Sequence, residues 1–400
     1  MRVAVIGGGA SGLTAACTAA EQGAQVILLE AQPRVGRKLL ATGNGRCNLT
    51  NLEDGREHWH GADPAFVLPA LSAFGPLEAL DFFRSLGLLT AEEPGGRVYP
   101  LSDQAGSVVD VLRFAVQAAG VEVRTGRRVS ALTRERGGFL LRADGEELRA
   151  DRVILCCGGA AGGPLGGCLD GYKLLRSLGH GVTELCPALV QLRTEPLWVR
   201  PLKGVRAPAA LTLRRDGQVL ARTRGEVQFT EYGVSGPAAF ELSRAASVSG
   251  GGQELTLDLL DGTPFGELEA LLAARCHALP ELTANDLLTG MLHNRLGRTL
   301  VRRAGLSLEV PLSALDGKSL RRVAGCVKRF ALPVTGTQGF DSAQVTAGGA
   351  RTAQFDPETL SSRLVPGLYA AGEVLDVDGD CGGYNLQWAW ASGRLAGRLL

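Results

Sequence analysis

The sequence predicts an α/β fold: a parallel-sheet domain made from both ends of the chain, with a β-rich and a helical insertion between them. Three observations carry that expectation. An apolar strand, a glycine turn, a helix and a second strand open the chain. Strand-like and then helical stretches fill its middle, and glycine-bounded strand and helix patterns return after Val345.

Arg2-Val3-Ala4-Val5-Ile6 reads as a short buried strand, and Gly7-Gly8-Gly9-Ala10-Ser11-Gly12 follows with glycine at all three positions of G-x-G-x-x-G. Gly7 permits the tight turn, Gly9 lets a pyrophosphate approach the backbone, and Gly12 lets the helix pack against the strand. Leu13 to Gln22 is Ala-rich and helix-forming, and Gly23 stops it. The start of this helix, with Ala10 and Ser11, offers free N–H groups and a positive dipole end to phosphates. Gln25-Val26-Ile27-Leu28-Leu29 is a second strand ending in Glu30, an acid placed to accept hydrogen bonds from ribose hydroxyls. Strand, turn, helix, strand and acid in register predict a dinucleotide site.

Four hundred residues suggest two or three domains, and 45% hydrophobic with 21% charged residues is a soluble globular composition. Aromatics at 5% and a net charge of +1 argue against a nucleic-acid partner. No apolar stretch approaches the ~18 residues of a spanning helix, so no membrane partner is expected. The apolar run before the glycines is too short for a signal peptide and is read as the first strand. Nine cysteines without regular spacing predict free thiols and a cytoplasmic protein.

Along the chain, a basic glycine-interrupted loop runs from Arg34 to Asn51, and Leu77 to Phe83 and Val108 to Ala119 have helical spacing. Val129 to Leu132, Gly138 to Ala143 and Glu147 to Ala150 predict a small antiparallel sheet. Arg152 to Cys157 is a buried strand running into Gly158-Gly159, and Asp170-Gly171-Tyr172 starts a helix with Asp170 as its N-cap. The expected domains are a nucleotide domain at 1–187 and 341–400, a β-rich insert at 188–262 and 307–340, and a helical insert at 263–306.

A late motif, Gly367-Leu368-Tyr369-Ala370-Ala371-Gly372-Glu373-Val374, decides between NAD and FAD. An FAD protein of the glutathione-reductase-like type adds a late strand ending in small residues plus an acid, which reaches the ribityl chain. A helix then begins near the flavin pyrimidine, here near Asn385 and Leu386, and its N–H groups stabilise the reduced flavin's negative edge.

The stretch Gly36-Arg37-Lys38-Leu39-Leu40-Ala41-Thr42-Gly43-Asn44-Gly45-Arg46-Cys47-Asn48-Leu49-Thr50-Asn51 closely resembles the signature of the BaiN/RdsA flavoproteins, NAD(P)/FAD-dependent or aminoacetone-oxidase-family FAD-binding enzymes. Phe229 to Pro237, Gly372 to Gly379 and Gly382 to Ala389 look like the same family, so the likeness spans the chain. It implies a Rossmann FAD domain, a β-barrel-like insert and a small helical insert. One departure is the run Ala160 to Leu169, glycine-rich where the family carries a polar loop, which puts in doubt any substrate polarity that loop supplies.

The predicted cofactor-binding residues follow. The first turn and strand give Gly7, Gly9, Ala10, Ser11, Gly12 and Glu30; the basic loop gives Lys38, Thr42, Gly43 and Asn48. Val129 and Gly158 stand at the start of the small sheet and after the strand at 152–157, and the late motif gives Gly372, Glu373, Asn385 and Leu386. Lys38 would offset diphosphate charge.

Catalytic candidates are weaker. Arg46 could hold a substrate carbonyl or serve the flavin loop structurally, with neither favoured. Cys47 could form a redox pair with Cys381, but packing is the preferred role because no partner lies near in sequence. Tyr384 could be catalytic, though orienting the flavin is the safer role. Cys156 and Cys157 read as buried small residues. His58-Trp59-His60 lacks further ligands for a metal site and reads as a solvated loop; no metal is expected.

With no second G-x-G-x-x-G opening a helix, either NAD(P)H docks transiently over the flavin or the substrate reduces it and dioxygen reoxidises it. The expected function is an FAD oxidoreductase transferring a hydride between flavin N5 and a small organic substrate, as an NAD(P)H-linked reductase. The alternatives are an amine or carbonyl oxidase making hydrogen peroxide, and a flavin-dependent RNA-modifying protein.

Overall fold

In the computed structural model, which describes residues 1–53 and 55–400, β1 (Arg2–Ile6) stands at the centre of a five-stranded sheet. Its order is Leu368–Ala370, Arg152–Leu155, β1, β2 (Gln25–Glu30), Glu122–Thr125, with every pair parallel. Val3, Val5, Leu28, Ile154 and Leu368 are fully buried. Cover on both faces is why the central strands read as continuous apolar runs rather than alternating ones. Helix α1 (Ala10–Glu21) begins inside the glycine turn, at Ala10 rather than Leu13. The C-terminal helix Tyr384–Gly397 packs along it, and a Cβ at Gly397 would come 2.7 Å from the Ala15 carbonyl oxygen. Small residues let these two backbones approach.

The predicted three-stranded sheet is present as Val129–Glu135, Gly138–Ala143 and Glu146–Ala150. Its second turn, Asp144-Gly145, has φ of 45° and 86°, the left-handed pair that a tight hairpin turn requires.

The chain forms two compact units, Met1–Cys186 with Phe340–Leu400, and Pro187–Gly339. The second unit holds a closed six-stranded barrel in the order Leu192–Thr194, Gly233–Ser235, Gln218–Phe229, Arg206–Arg215, Gln253–Asp258, Phe330–Thr337. Leu211, Leu213, Phe229, Leu255, Leu257, Phe330 and Leu332 are buried, and their every-other-residue spacing is that of inward-facing barrel positions. Of the helices Phe265–Ala278, Asn294–Arg303 and Gly317–Lys328, the third packs against each of the other two. The third lies within 307–340, beyond the range expected to be helical, and is capped by Asp316, whose Oδ1 accepts from the Ser319 amide at 2.8 Å.

Three local expectations need correction. Residues 188–262 are not strands throughout, because Pro237–Val248 is a helix with proline in its first turn and an Ala-rich buried face. Asp170 is the first residue of helix Asp170–Ser177 rather than its cap; Leu169 holds the cap position, and Asp170 pairs with Arg128 and Lys173 instead. His58-Trp59-His60 is no solvated loop, since Trp59–His60 pairs with Asp378–Gly379 and Trp59 is buried. No single helix among the described residues is long and apolar enough to cross a membrane.

Candidate functional site

The glycine turn forms a cradle open on one side. Gly7 has φ of 105°, and a Cβ there would collide with the Cys156 carbonyl oxygen; one at Gly12 would collide with the Gly7 carbonyl oxygen. At Gly9 nothing lies within 4 Å of the same position. No side chain caps α1, so the first-turn N–H groups, including those of Ala10 and Ser11, face that open side without intrahelical partners. The arrangement fits an anionic diphosphate.

Glu30 closes the turn. Its Oε2 accepts from the Gly8 amide at 2.6 Å and its Oε1 from the Gln32 amide at 2.7 Å. The carboxylate is thereby fixed, and each oxygen keeps a further lone pair for a hydroxyl donor. The Arg127 amide donates to the Glu30 carbonyl at 2.8 Å, which brings the start of the Val129 strand beside it.

The late motif meets this cradle from Leu368–Ala370, the strand beyond Arg152–Leu155 in the sheet. The Ser11 hydroxyl lies 3.5 Å from the Ala371 carbonyl, and the Gly372 amide donates to Ser392 Oγ at 2.9 Å. Lys38 Nζ pairs with Glu373 Oε2 at 2.7 Å, while Glu373 Oε1 accepts from the Thr346 amide at 2.9 Å. Thr346 Oγ1 in turn accepts from the Ala161 amide at 2.9 Å. Lys38, Ala161, Thr346 and Glu373 therefore form one polar track. Gly158, with φ of 69°, precedes this loop and has open space around its Cβ position. Sequence reasoning missed Thr346 because nothing local marks it.

The basic loop is held by its own backbone. Thr42 Oγ1 donates to the Leu39 carbonyl at 2.7 Å, and Gly43 and Asn44 both take left-handed φ near 57°. Asn48 Oδ1 is buried without a hydrogen-bond partner, 3.0 Å from where a Cβ on Gly383 would stand. An unsatisfied buried acceptor beside the start of the C-terminal helix fits the polar edge of a bound cofactor.

The catalytic candidates are occupied elsewhere. Arg46 Nη2 pairs with Glu93 at 2.5 Å, its Nε with Asp103, and its guanidinium lies 4.1 Å from the Tyr99 ring centroid. Its fork is committed to this cluster. Cys47 is fully buried, and burial pushes its thiol up to about 12, far from a reactive thiolate. Cys156 is likewise pushed up to about 12, and burial raises Cys157 well above its ordinary range. None of the nine cysteines is in a disulfide, so Cys47 and Cys381 are not joined. The Tyr384 hydroxyl donates to the Glu53 carbonyl at 2.9 Å.

Asn385 locks the entry of the C-terminal helix: its Oδ1 accepts from the Gly379 amide at 2.9 Å and its Nδ2 donates to the Gly379 carbonyl at 2.7 Å. Leu386 is partly buried on the core. Beside this entry, Asp380 stands between His58 Nδ1 at 2.9 Å and His60 Nε2 at 2.7 Å. Burial alone would raise the Asp380 carboxyl, but the bonds from His60 and His58 outweigh it and hold the group below its ordinary range. Among the described residues no group of three or more His, Cys, Asp or Glu is placed to hold a metal ion. A cavity of about 580 Å³ between α1 and helix Ala105–Ala118, lined by Leu13, Val35, Leu40 and Val109, contains none of the predicted site residues.

Comparison with known proteins gives the same assignment. The profile of the HI0933-like protein Rossmann domain matches residues 1–399. A 3-dehydro-bile acid delta(4,6)-reductase of Clostridium scindens is 43% identical over 402 residues, covering 99% of this chain and 98% of that protein. A ribosomal RNA dihydrouridine synthase of Escherichia coli is 31% identical over 391 residues, covering 97% and 95%. The solved 3-ketosteroid delta1-dehydrogenase of Sterolibacterium denitrificans shares the fold with a TM-score of 0.51 at 14% identity, covering 99% and 98%. The chain thus belongs to the HI0933-like Rossmann family and is an FAD-dependent oxidoreductase, as its two cofactor motifs and the basic loop between them imply.

Proposed function

We propose that the protein reduces a carbon–carbon double bond conjugated to a ketone in a small polycyclic substrate, with NAD(P)H as the source of electrons. The observation that carries this reading is the 43% identity, over nearly the whole of both chains, to a reductase named for delta(4,6) bonds of a 3-dehydro bile acid. FAD, when bound, supplies two-electron hydride chemistry at N5.

The chain's own residues bind and orient. The open N-terminus of α1 takes the diphosphate, and Glu30 takes the adenosine ribose. Glu373 takes the ribityl chain, with Lys38 between it and the diphosphate. Thr42, Gly43 and Asn48 line the flavin end, opposite the helix entry at Asn385 and Leu386. High thiol pKa values at Cys47 and Cys156 support hydride transfer over dithiol chemistry.

A second reading, reduction of a pyrimidine double bond in ribosomal RNA, has the Escherichia coli relative in its favour. Both chemistries reduce a C=C bond conjugated to a carbonyl. A net charge of +1 and 5% aromatics support the small-molecule reading.

Anaerobic mixing of the holoenzyme with NADH or NADPH tests this. Bleaching of the oxidised-flavin band, reversed by a 3-oxo-Δ4 or 3-oxo-Δ4,6 steroid, is the expected result. Reversal by a uridine-containing rRNA fragment alone would select the second reading. Aerobic peroxide from an amine without NAD(P)H would select an oxidase instead.

A further inference from the structure

We propose that His58 is the proton donor of this reduction, with Asp380 and His60 as its positioning residues; the inference rests on the enone-reductase reading above. The three side chains come from segments more than 300 positions apart, with separations of 322 and 320 for the two pairs, and meet through the short pairing of Trp59–His60 with Asp378–Gly379. His58 ends the short 3-10 turn Arg56–His58 and His60 lies in the two-residue strand that follows it; both side chains reach Asp380, while Trp59 between them is buried.

An ionised carboxylate only accepts, so both imidazoles donate to it, His58 through Nδ1 and His60 through Nε2. That leaves a different ring nitrogen out of the pairing in each case. His58 presents Nε2, the nitrogen at the far end of its ring, whereas His60 presents Nδ1, next to its own main chain. The His58 ring is also held flat on Tyr384, centroids 4.3 Å apart and planes 19° apart, and Tyr384 is the first residue of the C-terminal helix. About a quarter of the His58 side chain is exposed. Asn385 completes the mount by donating to the Gly379 and Asp380 carbonyls.

Reduction of an enone needs such a group. FAD, when bound and reduced by a nicotinamide dinucleotide, would supply the hydride that makes the new C–H bond at the β carbon. The π pair moves toward the α carbon and carbonyl oxygen as an enolate. The α carbon takes the Nε2 proton of the His58 imidazolium: the Nε2–H bond breaks, its pair stays on nitrogen, the α C–H bond forms, and the neutral Nδ1–H ring remains bonded to Asp380. The substrate thus gains two hydrogens, one as the hydride that FAD would supply and one from His58, which recovers its proton from solvent. Asp380 keeps Nδ1 protonated, which fixes the tautomer that makes Nε2 the exchanging atom.

The test follows single-turnover reoxidation of the photoreduced holoenzyme by a 3-oxo-Δ4 steroid, with ferricyanide as a proton-independent control oxidant. His58→Gln should slow the steroid reaction by about 10²-fold or more while leaving FAD content and the ferricyanide rate unchanged. Asp380→Asn should slow it less, and added imidazole should restore part of the rate to His58→Ala. Independently of turnover, ring ¹⁵N spectra of the holoenzyme should show His58 protonated at Nδ1, and Asp380→Asn should redistribute its tautomers. A His58→Gln enzyme as fast as wild type overturns the proposal. So does a slow His58→Ala enzyme that imidazole cannot rescue together with an unchanged His58 tautomer in Asp380→Asn. If wild type is reoxidised by none of the 3-oxo steroids, the enone-reductase reading fails and takes this inference with it; if only the variants behave unexpectedly, the proton donor alone is wrong.

Discussion

Lys38 Nζ lies 2.7 Å from Glu373 Oε2, and this pair joins the loop after β2 to the exit of the late strand across 335 positions of sequence. Both side chains are partly shielded, at 30% and 21% exposure, so the pair is worth more than a surface ion pair and less than a buried one. Lys38→Met should lower the thermal midpoint of the cofactor-free protein by a few degrees, as about 1 kcal/mol does in a domain of this size. It should weaken FAD retention further, because the lysine's charge also offsets the diphosphate. The exchange Lys38→Glu with Glu373→Lys should restore the midpoint but not FAD retention. Equilibrium dialysis showing full FAD retention in the exchanged protein would remove Lys38 from the diphosphate.

Glu30 serves the protein before it serves a ribose. Losing the two backbone bonds from Gly8 and Gln32 should cost Glu30→Ala about 2–3 kcal/mol of stability, since each is a bond to a charged acceptor. Glu30→Gln keeps one acceptor oxygen and should lie between wild type and Glu30→Ala in both urea midpoint and FAD affinity. Equal FAD affinity in all three proteins would show that the ribose lies elsewhere.

Gly9 and Gly12 should separate binding from folding. A methyl group at Gly9 meets nothing within 4 Å, so Gly9→Ala should fold like wild type and lose FAD affinity by about tenfold or more, the side chain occupying diphosphate space. A methyl group at Gly12 collides with the Gly7 carbonyl oxygen, so Gly12→Ala should be destabilised with or without FAD. Circular dichroism melts of both cofactor-free variants, with flavin fluorescence titrations, distinguish them. A Gly9→Ala protein that binds FAD normally would falsify the cradle.

Cys47 should behave as a packed, inert thiol. Its pKa is raised from 9.0 to about 12, so it stays neutral in the folded protein while the unfolded chain ionises from about pH 9 upward. The raised folded value makes its contribution complete below pH 9 and lost as pH climbs toward 12. Wild type should therefore lose stability relative to Cys47→Ser between those pH values, and iodoacetamide at pH 8 should label Cys47 only after unfolding. Cys47→Ser should also keep FAD and most turnover. Rapid labelling of the native protein, or collapse of turnover with FAD bound, would give Cys47 a chemical role.

Much of the cofactor domain was legible because its rules are local. A turn that needs glycine at three spaced positions, an apolar run before it and an acid after the next strand all lie within thirty residues, and the sterics that demand them act over the same span. The hairpins at 129–150 were readable for the same reason. Pro237–Val248 was not, because strand-like neighbours on both sides set its apparent character while its Ala-rich face shows its purpose only against the barrel. Helix Gly317–Lys328 was hidden in the same way: Asp316 caps it, but its apolar face has meaning only beside the two earlier helices.

The sequence by itself determined the parallel-sheet fold, the dinucleotide turn, the late flavin motif and the family likeness, since each is written in neighbouring residues. Tertiary structure alone decided what the polar side chains do. Arg46 is drawn to Glu93 and Asp103, far along the chain, and so leaves the list of free cations. Asp380 acquires two imidazoles from a segment that reads as solvated loop. The physical reason is range: backbone sterics and periodicity act over a few residues, whereas a carboxylate and an imidazole 322 positions apart find each other only after apolar burial has folded the chain between them.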